Sequence, residues 1–89
     1  MHELSQIHGL MRQLQSLAQA HGANRVTAVK VKVGALAHCS PEHFREHFAQ
    51  ASQGTLAEGA RVDVELASDA FDPQAQNIVL DEFEITYAN

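Results

Sequence analysis

The feature that most constrains this chain is a change of hydrophobic period at Gly22. From about Glu3 to His21, the residues Leu4, Ile7, Leu10, Met11, Leu14, Leu17 and Ala18 recur at spacings of three and four. That spacing makes one apolar stripe along an α-helix. Arg12, Gln13, Gln15, Ser16 and Gln19 fill the other side. Gly22 stands where a left-handed residue commonly ends a helix, and a protonated His21 in the last turn complements the helix dipole. From Arg25 to Val33 the period falls to two. Val29, Val31 and Val33 alternate with Lys30 and Lys32, which predicts a strand with one buried and one wet face.

Past the connector Gly34–His38, Ser40-Pro41-Glu42 announces a second helix. Ser40 can cap the first free amides, Pro41 suits the first helical position, and Glu42 lies near the positive end of the dipole. Phe44, Phe48 and Ala51 fall at i, i+4 and i+7 on its core side, and Gly54 ends it. Thr55 to Ala60 links to a strand from Arg61 to Ala67, where Val62, Val64 and Leu66 alternate with Asp63 and Glu65. Ser68 to Gln76, containing Asp72-Pro73, reads as a turn or loop. In the last segment, Asn77 to Tyr87, Ile78 and Leu80 share one phase while Phe83, Ile85 and Tyr87 share the other. A slip of one residue inside a strand is what a β-bulge produces, so a bulge is expected at Asp81-Glu82. The order is helix, strand, helix, strand, strand. The expected class is therefore α+β, with two helices packed on one face of a small three-stranded mixed sheet.

At 89 residues the chain is a single domain, 1–89, and its 45% hydrophobic content suffices for a small core. Six Lys plus Arg against eleven Asp plus Glu give a net charge of −5, without the basic run that nucleic acid requires. No stretch approaches the length of a transmembrane helix, and no signal peptide is visible at the N-terminus. Cys39 is the only cysteine, which excludes an internal disulfide and a CxxC zinc ribbon. These features fit a soluble protein of a reducing, cytoplasmic compartment. No nucleophile elbow, phosphate loop or nucleotide fingerprint appears, so an enzyme is not expected.

The chemistry resides in Met1-His2-Glu3-Leu4. A histidine at position 2 puts an imidazole one residue from a free α-amino group. The amine, the backbone nitrogens that follow and a ring nitrogen of His2 can chelate one metal ion in a plane. Nitrogen-rich square-planar sites suit Ni(II) or Cu(II) better than Mg, Ca or tetrahedral Zn. A backbone amide ligates only after losing its proton, so affinity should rise with pH.

Three stretches taken together carry a family resemblance. They are Met1-His2-Glu3-Leu4 opening an amphipathic helix, His21-Gly22-Ala23-Asn24-Arg25-Val26 through Val33-Gly34-Ala35-Leu36, and Gly54-Thr55-Leu56-Ala57-Glu58-Gly59-Ala60-Arg61. In this order and spacing the chain resembles the HypA/HybF hydrogenase-maturation proteins over about residues 1–67 and, more weakly, the final strand. The resemblance implies a nickel-binding domain of two helices on a three-stranded sheet. It implies Ni(II) ligated through the Met1 amine, the His2 backbone and ring nitrogens, and the Glu3 region. The implied clients are [NiFe]-hydrogenase and, in some members, urease, with a GTPase as handover partner. Family members insert a zinc domain with two CxxC pairs between the last two strands. Here that stretch, about 67–76, holds no cysteine. The reading is a nickel domain whose zinc module is replaced by a short loop, with no zinc expected.

The remaining histidines are weaker candidates. His43 and His47 lie one helical turn apart, a spacing able to hold a metal, but they flank the Phe44/Phe48 stripe and read first as a wet-face pair. His38 beside Cys39 lacks a third ligand in register, and His8 reads as packing at the edge of the first stripe. Asp81, Glu82 and Glu84 read as a solvated acidic edge that discourages edge pairing. Two functions stay open at this stage. One is a nickel metallochaperone or accessory protein in hydrogenase maturation. The other is a zinc-less adaptor that docks on a hydrogenase large subunit or a maturation factor without carrying metal. A homo-oligomer built on an exposed sheet edge is a third, lesser possibility.

Overall fold

The computed structural model describes residues 3–87, with side chains from residue 5 onward, and the five elements follow in the expected order. They are α1 (Glu3–Ala20), β1 (Arg25–Val33), α2 (Pro41–Ser52), β2 (Arg61–Leu66) and β3 (Ile78–Thr86). The sheet order is β2-β1-β3, so β1 is central. It runs parallel to β2 and antiparallel to β3. A parallel pair needs a crossover, and α2 supplies it.

The helix ends are set by local chemistry. At Gly22 φ is +70°. The Ala23 N–H donates to Ala18 O (2.9 Å) and the Gly22 N–H to Gln19 O (3.0 Å), the paired bonds of a Schellman motif. At the start of α2 the Ser40 hydroxyl accepts from the His43 N–H (3.1 Å), with Pro41 at the first position and Glu42 in the first turn.

Register explains which side chains reach the core. Lys30 pairs with Glu82 and Val31 with Leu80, so Asp81 is an extra residue in β3. The bulge expected there is present, and it returns Ile78, Leu80, Phe83 and Ile85 to one face, where all four pack on the core. A second bulge, not anticipated, lies in β1. Val26 pairs with Ile85 and Ala28 with Glu84, leaving Thr27 unpaired on its strand. The Thr27 hydroxyl donates to Glu84 O (3.3 Å) across this irregularity. The slip puts Val26 on the same face as Val29, Val31 and Val33, and all four are buried.

Over that face lie both helices. Ile7, Leu10, Met11, Leu14 and Ala18 of α1 form one core with Phe44 and Phe48 of α2. The two phenylalanine rings stack with centroids 5.9 Å apart. The segment between α2 and β2 closes the core with Ala57, which is fully buried. The Thr55 hydroxyl donates to Ser52 O (2.7 Å) and accepts from the Ala57 N–H (3.1 Å), while the Gly54 N–H donates to a Glu58 carboxylate oxygen (2.9 Å). The link is thus a knitted turn rather than a loose linker.

The opposite face of the sheet is charged. Ala28 pairs with Arg61 on one side and Glu84 on the other, and Arg61 reaches Glu84 (3.8 Å) over that small side chain. Lys30 lies between Glu65 (3.6 Å) and Asp81 (3.7 Å). The acidic residues of β3 are therefore partners of basic ones as well as an edge guard. Exposed pairs of this kind contribute little each. Glu65 first, then Asp81 and Glu82, hold the Lys30 ammonium above the ordinary lysine value of 10.5. Its favourable interaction is full below that value and is lost as pH rises through the raised one. The outer edge of β2 is partly covered by α2, whose Arg45 donates to Val62 O (3.1 Å).

One backbone contact is tight enough to test the packing. Gly34 lies against the backbone of Gln74 and Ala75, where an added Cβ would collide with both carbonyl groups. The Gly34 N–H and the Leu36 N–H donate to Asn77 O (2.9 Å) and Ala75 O (2.7 Å), so that backbone is held in place. Gly34→Ala should therefore cost about 2–3 kcal/mol through overpacking, read as a lower urea midpoint at unchanged slope.

Candidate metal-binding pole

The topology gathers three stretches at one end of the molecule. Val33, the last residue of β1, pairs with Leu66 at the end of β2 and with Ile78 at the start of β3. The loop 67–77 and the connector 34–40 both leave from that end, and the connector delivers the chain to the start of α2. The first turns of α1 lie there as well. The Gln6 side-chain oxygen accepts from the Ile78 N–H (2.7 Å), and its amide nitrogen donates to Gln76 O (3.4 Å). Gln6 thus ties the beginning of α1 to the beginning of β3.

Of the three predicted ligands, Met1 and His2 lie outside the described residues. Glu3 is the first described residue of α1. His38 and Cys39 are not brought together. His38 is exposed with a left-handed backbone (φ +55°), whereas Cys39 is buried in the core with its thiol donating to Ser40 O (3.6 Å). His8, expected to pack, is exposed on the solvent side of α1. That is a correction: its neighbour Ile7 takes the core direction. His21 is exposed at the end of α1, its ring 6.4 Å from that of Phe83. Among the described residues no group of three or more His, Cys, Asp or Glu converges as a metal site.

The loop 67–77 contributes two features that periodicity did not reveal. Ala75 is buried and seats the loop, while Phe71 is 96% exposed. The loop is ordered by its own acids. Asp69 accepts from the Phe71 N–H (2.9 Å) and Asp72 from the Gln74 N–H (2.7 Å), both through carboxylate oxygens. An exposed phenylalanine in a stretch of Ser, Asp, Pro and Gln was the available signal. Gln6 had none, because a polar residue on the helix flank has no sequence mark for a partner 72 residues away.

A family model described as "Hydrogenase/urease nickel incorporation, metallochaperone, hypA" matches residues 1–75. This chain belongs to the HypA family. A hydrogenase maturation factor HypA from Acidithiobacillus ferrooxidans is 41% identical over 64 residues, covering 72% of this chain and 57% of its own. The corresponding protein from Archaeoglobus fulgidus is 39% identical over 64 residues, covering 72% and 58%. The chain thus spans a little over half the length of the curated relatives it matches. In fold it is similar to the solution structure of the Ni metallochaperone HypA from Helicobacter pylori, with a TM-score of 0.81 at 16% identity, covering 99% of this chain and 100% of that one. The match supports the HypA architecture of two helices on a three-stranded mixed sheet.

The Gln6 tie makes a prediction about this pole. Gln6→Ala leaves the Ile78 N–H without its acceptor and should cost about 1–2 kcal/mol. Amide hydrogen exchange should show Ile78 exchanging faster while β1 residues such as Val31 keep their protection.

Proposed function

We propose that this HypA-family chain is a nickel-binding metallochaperone or accessory protein of [NiFe]-hydrogenase maturation, holding Ni(II) at Met1-His2-Glu3. The observation that carries the reading is a family match running from residue 1, which includes these three residues. The donor set supports it chemically. An amine, a deprotonated amide and an imidazole are strong-field nitrogen donors suited to a flat d⁸ ion. Nickel here is cargo, so an open-ended site at a chain terminus suits release better than a closed cage. Because each amide ligand gives up a proton on binding, affinity rises with pH and falls on acidification. No step of this role requires catalysis by the chain.

The domain would act without a zinc module of its own between β2 and β3, since the loop 67–77 crosses there directly and carries no cysteine. Its partners would be a hydrogenase large subunit or a GTPase maturation factor. Phe71 supports a docking role at the same pole. An exposed aromatic flanked by Asp69 and Asp72, its backbone N–H held by Asp69, suits an apolar pocket with a basic rim. That observation also sustains the second reading, an adaptor that docks without metal.

Two measurements separate the readings. Tag-free protein should bind one Ni(II) at near micromolar affinity, about −8 kcal/mol, and develop the absorbance band of low-spin square-planar nickel. His2→Ala should abolish that band; its persistence in that variant rejects the proposed ligands. Phe71→Ala should leave nickel binding intact and weaken capture of the hydrogenase large subunit or GTPase by about tenfold or more, as expected for a buried anchor at about 1–2 kcal/mol. Capture that survives His2→Ala but fails in Phe71→Ala favours the adaptor.

A further inference from the structure

We infer that His43 and His47 on α2 form a second divalent-metal site, separate from the chain terminus. It would take a borderline ion such as Zn(II), Cu(II) or Ni(II), with one ring nitrogen from each residue and water in the remaining positions.

The geometry is close to that of a chelated pair. The two rings meet edge to face with centroids 5.8 Å apart. An ion bound at about 2.0–2.1 Å to one nitrogen of each ring, with a bite between a right angle and tetrahedral, puts the centroids about 4.5–5.2 Å apart. The difference is within the reach of side-chain rotation alone. His43 is exposed and free of core packing, and the helix backbone fixes the i, i+4 spacing.

A second observation points at the same residues. Nδ1 of His47 is shielded from solvent and has no hydrogen-bond partner, alone among the buried side-chain nitrogen and oxygen atoms of the described residues. Burying a polar atom without a partner is unfavourable, and the half-buried ring stands beside Phe48 in the core wall. Coordination relieves this once the ring turns to bring that nitrogen out to the ion.

Charge around the pair favours a cation. Glu42 and Glu46 are exposed on the same helix and can accept hydrogen bonds from metal-bound water. Arg45, the one permanent cation of α2, has its guanidinium directed to Val62 O (3.1 Å). The run His43-Phe44-Arg45-Glu46-His47 has the H-x-x-E-H spacing of metal-binding helices. Since no third ligand converges among the described residues, the site is open and two-toothed, suited to binding and not to peptidase chemistry.

The test is made where the terminal chelate cannot contribute, in protein carrying one added N-terminal residue and His2→Ala. Titrated with Zn(II), Cu(II) or Ni(II), this protein should still bind one ion per chain, and Cu(II) should broaden the imidazole proton resonances of His43 and His47 before the others. His43→Ala and His47→Gln should each weaken that binding at least tenfold, while His21→Ala leaves it within twofold. Thermal unfolding of the blocked protein should rise with added metal, and His43→Ala should remove that rise while keeping the metal-free midpoint. Absence of binding in the blocked protein, or binding within threefold of it in His43→Ala, overturns the site. Neither outcome bears on the terminal nickel site, which the blocked protein lacks by design.

Discussion

The structure depends on the register between β1 and β3. These antiparallel strands carry two compensating irregularities, Thr27 in β1 and Asp81 in β3, and without them the apolar residues of each strand would divide between two faces. With them, Val26, Val29, Val31 and Val33 meet Ile85, Phe83, Leu80 and Ile78 across the pair, all on the helix side. The other face is left to Lys30, Lys32, Arg61 and their acidic partners. A chain this short has one core to build, and a one-residue slip would expose half of the sheet's contribution to it.

The same register brings the proposed metal-binding end together. Val33 is the common neighbour of the ends of β2 and β3, so everything that enters or leaves the sheet there is close by construction. Gln6 extends that convergence to α1. It accepts the Ile78 N–H at the very pair where β1 ends, so the start of α1 is hydrogen-bonded to the sheet in addition to its core packing. A terminal chelate is useful only if its carrier is fixed relative to the surfaces that greet a partner. Here the loop carrying Phe71 is held by backbone bonds to the connector after β1, and the first turns of α1 are held beside it by Gln6.

Much of this was legible in the sequence, for reasons that can be traced to residues. The two helices were visible because Leu10 and Leu14, or Phe44 and Phe48, repeat at one turn, and because Gly22 and Ser40-Pro41 mark local ends that need no tertiary information. The bulge at Asp81 was visible because the apolar phase changes on both sides of two acidic residues. The bulge at Thr27 has the same kind of signal, Val26 standing out of phase with Val29, but Ala28 between them blurs it, since alanine fits either face. Ala57 and Ala75 were not legible at all: a small residue in a turn becomes core only when another element covers it. His8 failed for the opposite reason. A histidine beside Ile7 at the stripe's edge is apolar enough to pack, yet Ile7 takes the core direction and the imidazole is left exposed.

The candidate metal chemistry divides along the same line. A terminal amine followed by histidine is a covalent neighbourhood, complete in the primary structure, so the sequence states its donor set without help from the fold. The His43/His47 pair is different, because an i, i+4 repeat on a helix is common and by itself says little. What distinguishes this pair is burial: His47 is half-buried, and its Nδ1 is shielded from solvent with no hydrogen-bond partner. The two sites also differ in what they ask of the protein. The proposed terminal site would discard amide protons to bind, whereas the proposed helix site would use ring nitrogens alone.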